Sequence, residues 1–298
     1  MGYRSLRPSN LKKKFWNRVV IYSCPFLSDE SYLKLKFRHR VGYSLNLDNP
    51  RSFNEKLQWL KLYDKHPEYT RMVDKATAKD YVAGIVGEKY IIPTLGVWNS
   101  VDGIDWDGLP DQFVVKLTGD SGGVVVCKDK KSFDRRAAIK KLKMHGERTH
   151  VKYSKEYPYK DVPQRYIAEQ YMEDESGVEL KDYKFFCFEG KPRFLFVATG
   201  RQNNDTRFDF YDMDFNHLPV LNGHPNADVW PTKPENFDEM IQVAERLSQG
   251  MPHVRVDLYN CNGKIYFGEL TFFHWSGMVP FEPVEWDYKF GEYLKLPI

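Results

Sequence analysis

The segment HVRVDLYNCNGKIYFGELT, residues 253–271, decides the fold of this chain. Two runs rich in β-branched and aromatic residues, Val254–Tyr259 and Lys264–Leu270, flank the pair Asn262-Gly263. An Asn-Gly pair between two such runs is the strongest short-range signal for a β-hairpin with a tight turn. The sequence therefore predicts an antiparallel hairpin near its C-terminal end.

The two strands of this hairpin carry carboxylates that can meet. Asp257 lies in the first strand and Glu269 in the second, and we expect both side chains on one face of the sheet. Mg²⁺ is usually held by one or two carboxylates and completes its shell with water and phosphate oxygens. The pair is therefore a candidate magnesium site, with ordinary hairpin-edge carboxylates as the alternative.

Further upstream, an apolar strand ends in a lysine and runs into a glycine-rich loop. Residues Phe113–Lys116 form the predicted strand, and Gly119, Gly122 and Gly123 follow it. Glycines let backbone N–H groups approach phosphate oxygens closely, and a lysine supplies positive charge. The loop also spells a serine-protease nucleophile motif around Ser121, but no upstream histidine has the context of its general base. A phosphate-binding loop and an ordinary hairpin turn both remain open on this signal alone.

The periodicity of the rest of the chain predicts an α+β class with mainly antiparallel sheets. Helices are predicted after Ser28, after a Ser52–Glu55 capping box, and at Lys75–Val86, Phe133–Met144 (capped by Ser132) and Phe237–Leu247. Strands are predicted at Tyr90–Ile92, Leu95–Trp98, Gln112–Leu117, Tyr166–Met172, Tyr183–Phe188, Arg193–Thr199 and Phe208–Tyr211.

Composition excludes several classes of protein. The 298 residues are 42% hydrophobic with a mean hydropathy of −0.59, which fits a folded chain of about two domains and rules out wholesale disorder. No apolar stretch reaches the ~20 residues of a spanning helix. The N-terminus lacks the apolar segment of a secretory signal, and the four cysteines have no metal-type spacing, so a cytoplasmic location is expected. A net charge of +3 is too small for a dedicated nucleic-acid binder.

Positive charge is concentrated in two stretches. Residues 1–40 hold ten Lys and Arg against two acids, and residues 127–160 hold twelve against four. The second stretch follows the glycine loop, so it could capture an acidic polymer or a membrane-linked uronic glycan; a solvated helix face is the alternative. The first is compatible with a peripheral position at the inner membrane face, next to lipid-linked glycans, although it lacks a convincing apolar face.

The order of these features resembles the ATP-grasp superfamily of carboxylate–amine ligases. Within it the chain is similar to the TupA-like branch, named for teichuronopeptide synthesis, over about residues 30–295. The segments that carry this likeness are Ser52–Gln58, Asp182–Phe185 and Gly268–Phe272.

The resemblance implies ATP and Mg²⁺ as ligands. The implied ATP-binding residues are Lys75, Lys116, the lid residues Gly119, Ser121, Gly122 and Gly123, and the hinge residues Glu169, Gln170, Tyr171 and Met172. Lys79, one helical turn after Lys75, is an alternative to it. The implied metal ligands are Asp257, Glu269 and Thr271, and Thr271 stands where the family usually has Asn.

The same likeness implies the anion-stabilising Arg255 and the phosphate ligand Lys116, whereas the other catalytic and substrate residues are predicted from their residue type and their place in the chain. Arg255, Lys116 and Lys184 are the predicted catalytic residues. Arg201 is a predicted carboxylate-binding residue, and His274 and Trp275 are predicted to line the acceptor site; a surface arginine and ordinary packing are the alternatives.

The resemblance implies an ATP-grasp fold in which two α+β lobes clasp ATP. The predicted boundaries are 1–73 for a helical N-terminal region, 74–168 for the lobe with the lid, and 169–298 for the lobe with the Mg²⁺ strands. The expected activity is amide-bond formation through an acyl phosphate, joining an amine to the carboxylate of a small molecule or of a uronic-acid-containing surface polysaccharide such as a capsule.

Two other functions remain open from the sequence. A glycosyltransferase would suit the spelling Asp212-Met213-Asp214, although the surroundings of that motif predict a turn. A non-catalytic nucleotide-binding protein is favoured by Thr271.

Overall fold

The computed structural model describes residues 10–120, 122–146, 150–201 and 205–297. The helices in these ranges are α1 (Asn10–Ser23), α2 (Asp29–Arg40), α3 (Phe53–Tyr63), α4 (Glu68–Val73), α5 (Thr77–Val86), α6 (Arg135–Gly146), α7 (His150–Ser154), α8 (Phe237–Leu247) and α9 (Glu285–Tyr293). The strands are β1 (Thr94–Trp98), β2 (Phe113–Leu117), β3 (Val124–Cys127), β4 (Tyr166–Gln170), β5 (Asp182–Phe188), β6 (Lys191–Thr199), β7 (Arg207–Tyr211), β8 (His217–Leu218), β9 (His253–Cys261) and β10 (Lys264–Thr271).

The strands form two separate sheets. A four-stranded sheet has the order β1-β4-β2-β3, and a six-stranded sheet has the order β10-β9-β5-β6-β7-β8. Neighbouring strands in both sheets pair antiparallel. The predicted α+β class with antiparallel sheets is confirmed.

Two tight hairpin turns are present in the six-stranded sheet, and one of them is the predicted Asn262-Gly263 turn. Asn262 and Gly263 join β9 to β10 with φ of +52° and +80°, and Glu189 and Gly190 join β5 to β6 with φ of +48° and +76°. A two-residue turn with positive φ at both positions matches the right-handed twist of the strands, and glycine tolerates that conformation without steric cost.

The N-terminal helices share a core with the six-stranded sheet. Helix α3 begins at the predicted capping box, in which Ser52 Oγ accepts from the Glu55 amide at 3.2 Å and Glu55 Oε2 accepts from the Ser52 amide at 3.1 Å. The first residue of the helix, Phe53, is fully buried, and its ring contacts Phe186 of β5 and Phe290 of α9. The cap thus fixes the helix start at the point where its largest apolar side chain enters the core.

The four-stranded sheet has its own core, against which α6 packs. Leu142 of α6 is buried there with Phe113 of β2. The prediction that Ser132 caps this helix is wrong. The helix begins at Arg135 because Asp134 Oδ1 accepts from the Ala137 amide at 2.9 Å.

Other boundaries also differ from the sequence-based predictions. Helix α4 is unpredicted, α5 begins two residues later than expected, and Tyr90 lies in a 3₁₀ turn rather than in a strand. The boundary predicted between residues 168 and 169 falls inside β4, a strand of the four-stranded sheet. Within the described ranges, no helix combines the length and apolar character that a membrane span requires.

Candidate active site

Three ionisable side chains form a row across the six-stranded sheet. Asp257 of β9 is paired directly with Lys184 of β5 on one side and with Glu269 of β10 on the other. Side chains at directly opposite positions of antiparallel strands lie on the same face. The cross-strand pairing of Asp257 and Glu269 expected from the sequence is therefore present.

Asp257 is buried and paired with two cations. Arg255 donates from Nε to Oδ1 at 2.7 Å and from Nη2 to Oδ2 at 2.8 Å, and Lys184 Nζ also binds Oδ2. Burial alone would raise the pKa of Asp257, but the charges of Arg255 and Lys184 outweigh burial and hold that pKa below its ordinary value. Asp257 is therefore an anion held in place from two sides.

The row of charges continues along β5. Lys184 Nζ lies 3.5 Å from Oδ1 of the fully buried Asp182, and Arg201 binds Oδ2 of the same carboxylate. The Arg201 side chain remains 53% exposed. Its guanidinium thus has one nitrogen on Asp182 and a large surface toward solvent.

His274 is hydrogen-bonded to the Arg255 guanidinium. Its Nδ1 accepts from Arg255 Nη1 at 2.7 Å, and its Nε2 is 2.8 Å from Asn222 Oδ1. Burial and the nearby Arg255 charge hold the pKa of His274 well below its ordinary value, so the ring is neutral, with Nδ1 as acceptor and Nε2–H as donor. The side chain is buried, and it touches the guanidinium rather than the surface.

Trp275, the next residue, is 41% exposed and stacks on Phe208, with 6.1 Å between ring centroids. Of the two residues predicted to line an acceptor site, only Trp275 presents an open ring.

A second cluster lies in the four-stranded sheet around Glu169. Lys116 Nζ of β2 contacts Oε2 at 2.5 Å, and Lys79 Nζ of α5 contacts Oε1 at 2.7 Å. Burial opposes ionisation of Glu169, but the two ammonium groups prevail and lower its pKa to about 2. Lys116 and Lys79 therefore share the Glu169 carboxylate. Lys79 is the lysine that was considered as an alternative to Lys75.

Lys75 connects the two sheets. Its Nζ donates to the carbonyl oxygen of Asp120 in the glycine loop at 3.0 Å and lies 3.5 Å from Glu269 Oε1 on β10. Its backbone amide donates to Thr118 at the end of β2 at 3.0 Å. The preceding Asp74 carboxylate binds Arg165 at 2.6 Å. The position of Lys75 is thus fixed by backbone and side-chain contacts.

The glycine loop is closed on a carboxylate of its own. Asp120 Oδ2 accepts from the amides of Gly122 at 3.1 Å and Gly123 at 2.8 Å, and lies 2.7 Å from His145 Nδ1. Two adjacent amides directed at one oxygen form an anion-binding nest, as expected for a phosphate loop. Gly119 packs closely, since a Cβ there would lie 2.9 Å from Val162, and Ser121 lies outside the described residues.

The predicted hinge, Glu169–Met172, comprises the last two residues of β4 and the two residues after it. The Gln170 amide donates to the Pro93 carbonyl at 3.0 Å, and Tyr171 lies 5.5 Å beneath the ammonium of Lys128. Tyr171 and Met172 are partly exposed, whereas both oxygens of Glu169 are already bound by lysines. The open surface of the hinge is therefore formed by the exposed Gln170 side chain and the partly exposed side chains of Tyr171 and Met172.

The carboxylates of β9 and β10 fit Mg²⁺ as a partial ligand set. Among the residues that the structure describes, Asp257 Oδ1 accepts a single bond, from Arg255 Nε, and Glu269 is 25% exposed. Within the described residues no group of three or more His, Cys, Asp or Glu could hold a metal by itself. Mg²⁺ commonly takes one or two carboxylates and fills its shell from a substrate phosphate, which is what this donor set allows. Thr271 Oγ1 accepts from Arg255 Nη2 at 3.0 Å.

Tyr259 on β9 is a residue that sequence reasoning missed. Burial raises its pKa well above the ordinary value, and the carboxylates of Asp182, Glu169 and Asp257 add to this effect. Its hydroxyl therefore lies within electrostatic reach of both clusters. A tyrosine two positions after Asp257, on the same strand face, was the available signal.

The Asp212-Met213-Asp214 motif lies in the turn between β7 and β8, as predicted. The Asp212 carboxylate accepts from the amides of Asp214 at 3.0 Å and Asn216 at 2.8 Å. It serves the turn and lies in neither charged cluster.

Comparison with known proteins shows which family and which solved structures this chain is similar to. A family profile described as TupA-like ATPgrasp matches residues 55–295. No curated protein sequence matches the chain. A D-alanine–D-alanine ligase from Bacillus anthracis, solved with ATP, is similar at 14% identity and a TM-score of 0.39, covering 67% of this chain and 53% of its own.

Two further solved structures are similar at the same level. The D-alanine–D-alanine ligase from Helicobacter pylori has 15% identity, a TM-score of 0.43, and coverage of 81% of this chain and 69% of its own. The N5-carboxyaminoimidazole synthetase from Staphylococcus aureus, solved with ADP, has 15% identity, a TM-score of 0.46, and coverage of 82% and 56%. The chain thus spans little more than half the length of the first of these structures.

Proposed function

This chain belongs to the TupA-like ATP-grasp family, and from that membership we propose that it is an ATP-dependent carboxylate–amine ligase. The observation that carries the proposal is the contact of Lys75 with both Asp120 in the glycine loop and Glu269 in the second sheet. Through this lysine, the amides proposed to bind phosphate lie close to the carboxylates proposed to bind Mg²⁺. A nucleoside triphosphate with Mg²⁺ needs both in one place.

The proposed reaction has two steps. A substrate carboxylate oxygen attacks the γ-phosphorus of ATP, the bond to the β-phosphate oxygen breaks, and ADP leaves. An amine then attacks the acyl carbon, and inorganic phosphate leaves with one oxygen that came from the carboxylate. The amine loses a proton, and the product is an amide. This chemistry requires positioning and charge stabilisation rather than a protein nucleophile.

Lys116 and Lys75 are the proposed phosphate ligands. Lys116 is held at 2.5 Å by Glu169, and a partly buried ammonium with one carboxylate partner keeps donors available for a phosphate oxygen. The amides of Gly122 and Gly123 would bind phosphate once the Asp120 carboxylate has left them. Binding of ATP therefore requires the loop to exchange its internal anion for the nucleotide. The Glu169–Met172 hinge would receive the adenine and ribose.

Arg255 and Lys184 are the proposed catalytic cations of the other sheet. Arg255 is oriented by Asp257 and by neutral His274, so its guanidinium is preorganised for the oxyanion that forms when the amine attacks. Lys184 lies beside Asp257, where it can balance charge on the transferred phosphoryl group.

Asp257 and Glu269, with Thr271, are the residues that would hold Mg²⁺. When bound, the ion neutralises phosphate charge that the lysines alone leave uncompensated. Thr271 supplies a hydroxyl where the family pattern has an amide oxygen, so its bond to Arg255 would compete with metal coordination.

The proposed substrate is a uronic-acid-containing surface polysaccharide, or its precursor, that receives an amino acid or amine. Half-exposed Arg201 suits a carboxylate, and the open ring of Trp275 suits the face of a sugar. We place the enzyme in the cytoplasm, with contact at the inner membrane face where lipid-linked glycans are available.

Mass spectrometry after incubation with ATP, Mg²⁺ and a library of uronic acids and amino acids tests this function. We expect an amide product together with ADP. Lys116→Ala and Glu269→Ala should abolish ATP turnover while circular dichroism shows an intact fold. The exposed-residue variants Lys141→Ala and Glu285→Ala are matched controls and should retain activity. Full turnover in either site variant would contradict the assignment.

A further inference from the structure

A cavity of about 670 Å³ opens beside the glycine loop, and no proposed role above uses it. Its walls come from the N-terminal helices α2 and α3, from the loop at Gly119 and Asp120, and from residues 152–165. Its volume is in the range of small-molecule sites. The chain therefore provides a second binding space next to the proposed phosphate site.

The cavity is lined mainly by cations. Six basic side chains face two acidic ones, Asp29 and Asp120. The basic residues are Lys61, Lys65, Lys152, Lys155, Lys160 and Arg165. Lys155 pairs with Asp29 at 2.7 Å, and Arg165 pairs with Asp74 at 2.6 Å. Across the described part of the chain, the other four have no carboxylate within 4.0 Å, so the wall carries uncompensated positive charge.

Lys61 is the most unusual of the four, because it is buried. Its ammonium donates to Gln58 Oε1 at 3.1 Å and to the carbonyl and hydroxyl oxygens of Ser276, both at 2.7 Å. Burial lowers the pKa of Lys61 to about 7. Among the described residues the hydrogen bonds of this ammonium go to neutral oxygens, with Glu156 as a more distant negative charge, and a buried ammonium is stabilised further when an anion comes near.

The cavity also borders the charged row of the six-stranded sheet, because Asp120 lies in its wall and Lys75 Nζ contacts both the Asp120 carbonyl oxygen and Glu269 Oε1. Tyr159 lies in its wall, and burial together with the nearby Glu269 carboxylate raises the pKa of Tyr159 well above its ordinary value. A ligand in the cavity would thus lie between the glycine loop and the strand that carries Glu269. That position suits the second substrate of a phosphoryl transfer.

We propose that this cavity binds the anionic part of the carboxylate substrate, so that the substrate carries at least two further negative charges besides the reacting carboxylate. The proposal rests on the ligase function. Two sources have this chemistry: successive carboxylates of an oligouronate, and the pyrophosphate of an activated uronic sugar. A single uronic acid would leave most of the cationic wall without a partner.

The proposal is tested by calorimetric binding in the absence of ATP, with trigalacturonate, UDP-glucuronate, monomeric glucuronate and neutral maltotriose as probes. We expect the wild-type chain to bind one of the first two probes far better than the last two. The double variant Lys65→Ala/Lys160→Ala should weaken that binding at least about fivefold, because each removes an unpaired cation. The double variant Lys131→Ala/Lys141→Ala removes the same charge from exposed positions outside the cavity and should leave binding unchanged.

The outcomes separate this proposal from the ligase function. Preference for trigalacturonate identifies the polymer as the source, and preference for UDP-glucuronate identifies the pyrophosphate; both support the cavity. Equal weakening in the two double variants, or no binding of either polyanion by the wild-type chain, overturns it. The binding assay contains no ATP and is therefore independent of the ligation assay. Cavity-dependent binding in the first assay, together with no amide product in the second, would contradict the ligase function and leave the anion site standing.

Discussion

Glu169 lies between two lysines that come from different elements, Lys116 in β2 and Lys79 in α5. A buried carboxylate between two ammonium groups keeps both lysines in place before ATP arrives. Removing one lysine leaves the other as a partner, so we expect Lys116→Ala to keep its fold.

The Glu169 cluster predicts a pH dependence of stability. The pKa of Glu169 falls from 4.5 to about 2 on folding, so the unfolded chain takes up its proton at a higher pH than the native chain. The stabilisation is complete above pH 4.5 and is lost as the pH falls toward 2; it amounts to at most about 3 kcal/mol. Urea unfolding of the wild type and Glu169→Gln between pH 6 and 3 measures it. The free energies of unfolding of the two proteins should converge as the pH falls, and parallel curves would contradict the cluster.

We expect His274 to position the Arg255 guanidinium for catalysis. His274→Ala removes the acceptor for Arg255 Nη1, and we expect turnover to fall ~10–100-fold while the KM for ATP changes little. His274→Gln restores an acceptor oxygen and should recover part of the rate. His66→Ala, at a half-exposed histidine, is the control. A large change in the KM for the acceptor with turnover unchanged would instead make His274 a substrate contact.

At the scale of elements, the contact between α9 and the start of α3 leaves no space for a side chain. A Cβ on Gly291 would lie 2.2 Å from the Arg51 carbonyl oxygen and 2.9 Å from the Phe53 nitrogen. Both are backbone atoms and cannot move aside easily. The two helices therefore depend on this glycine for their approach.

Substitution of two helical glycines should have opposite effects. Gly291→Ala should destabilise the protein by about 1–3 kcal/mol, because the methyl group forces the helices apart. Gly84→Ala in α5 meets nothing within 4 Å and should stabilise it by about 0.5–1 kcal/mol through helix propensity. Thermal unfolding measures both. A neutral Gly291→Ala would show that the α3–α9 contact is looser than described.

Local chemistry explains which elements could be predicted from the sequence. The Asn262-Gly263 turn and the Ser52–Glu55 capping box are set by adjacent residues, and both predictions are confirmed. The start of α6 was missed because Ser132 and Asp134 are both good caps, and the choice depends on how the helix packs on its sheet.

The side-chain pairings at the candidate site could not be predicted, because they depend on contacts between parts of the chain that are distant in sequence. Lys75 lies in the turn before α5 and Lys79 lies in α5, and only the packing of this segment against the sheets decides which of the two reaches Glu169. The closure of the glycine loop needs His145, which lies 25 residues from Asp120 along the chain. Such pairings follow from tertiary packing rather than from spacing.

At the scale of the whole molecule, the two sheets have separate cores and meet around the candidate site. Lys75 contacts both sides, and Tyr259 lies within electrostatic reach of both charged clusters. A ligand bound between the sheets would therefore add contacts that neither sheet makes alone.

This arrangement predicts that MgATP stabilises the whole chain against heat. A ligand that binds only the native state raises the melting temperature as its concentration rises above Kd. We expect a rise with MgATP that exceeds any rise with UDP- or GDP-hexoses, whose pyrophosphate is itself a candidate ligand of the cavity, and a smaller rise with MgATP in Lys75→Ala. Stabilisation by the sugar nucleotides alone would favour a glycosyltransferase.

Oxygen transfer from the carboxylate to phosphate tests the central claim most directly. The uronic substrate is labelled with ¹⁸O in its carboxylate and incubated with ATP, Mg²⁺ and the amine, and the inorganic phosphate is analysed by mass spectrometry. Ligation through an acyl phosphate predicts one ¹⁸O atom in each phosphate released, in step with ADP and amide. Unlabelled phosphate, or AMP with pyrophosphate in place of ADP, would contradict the account.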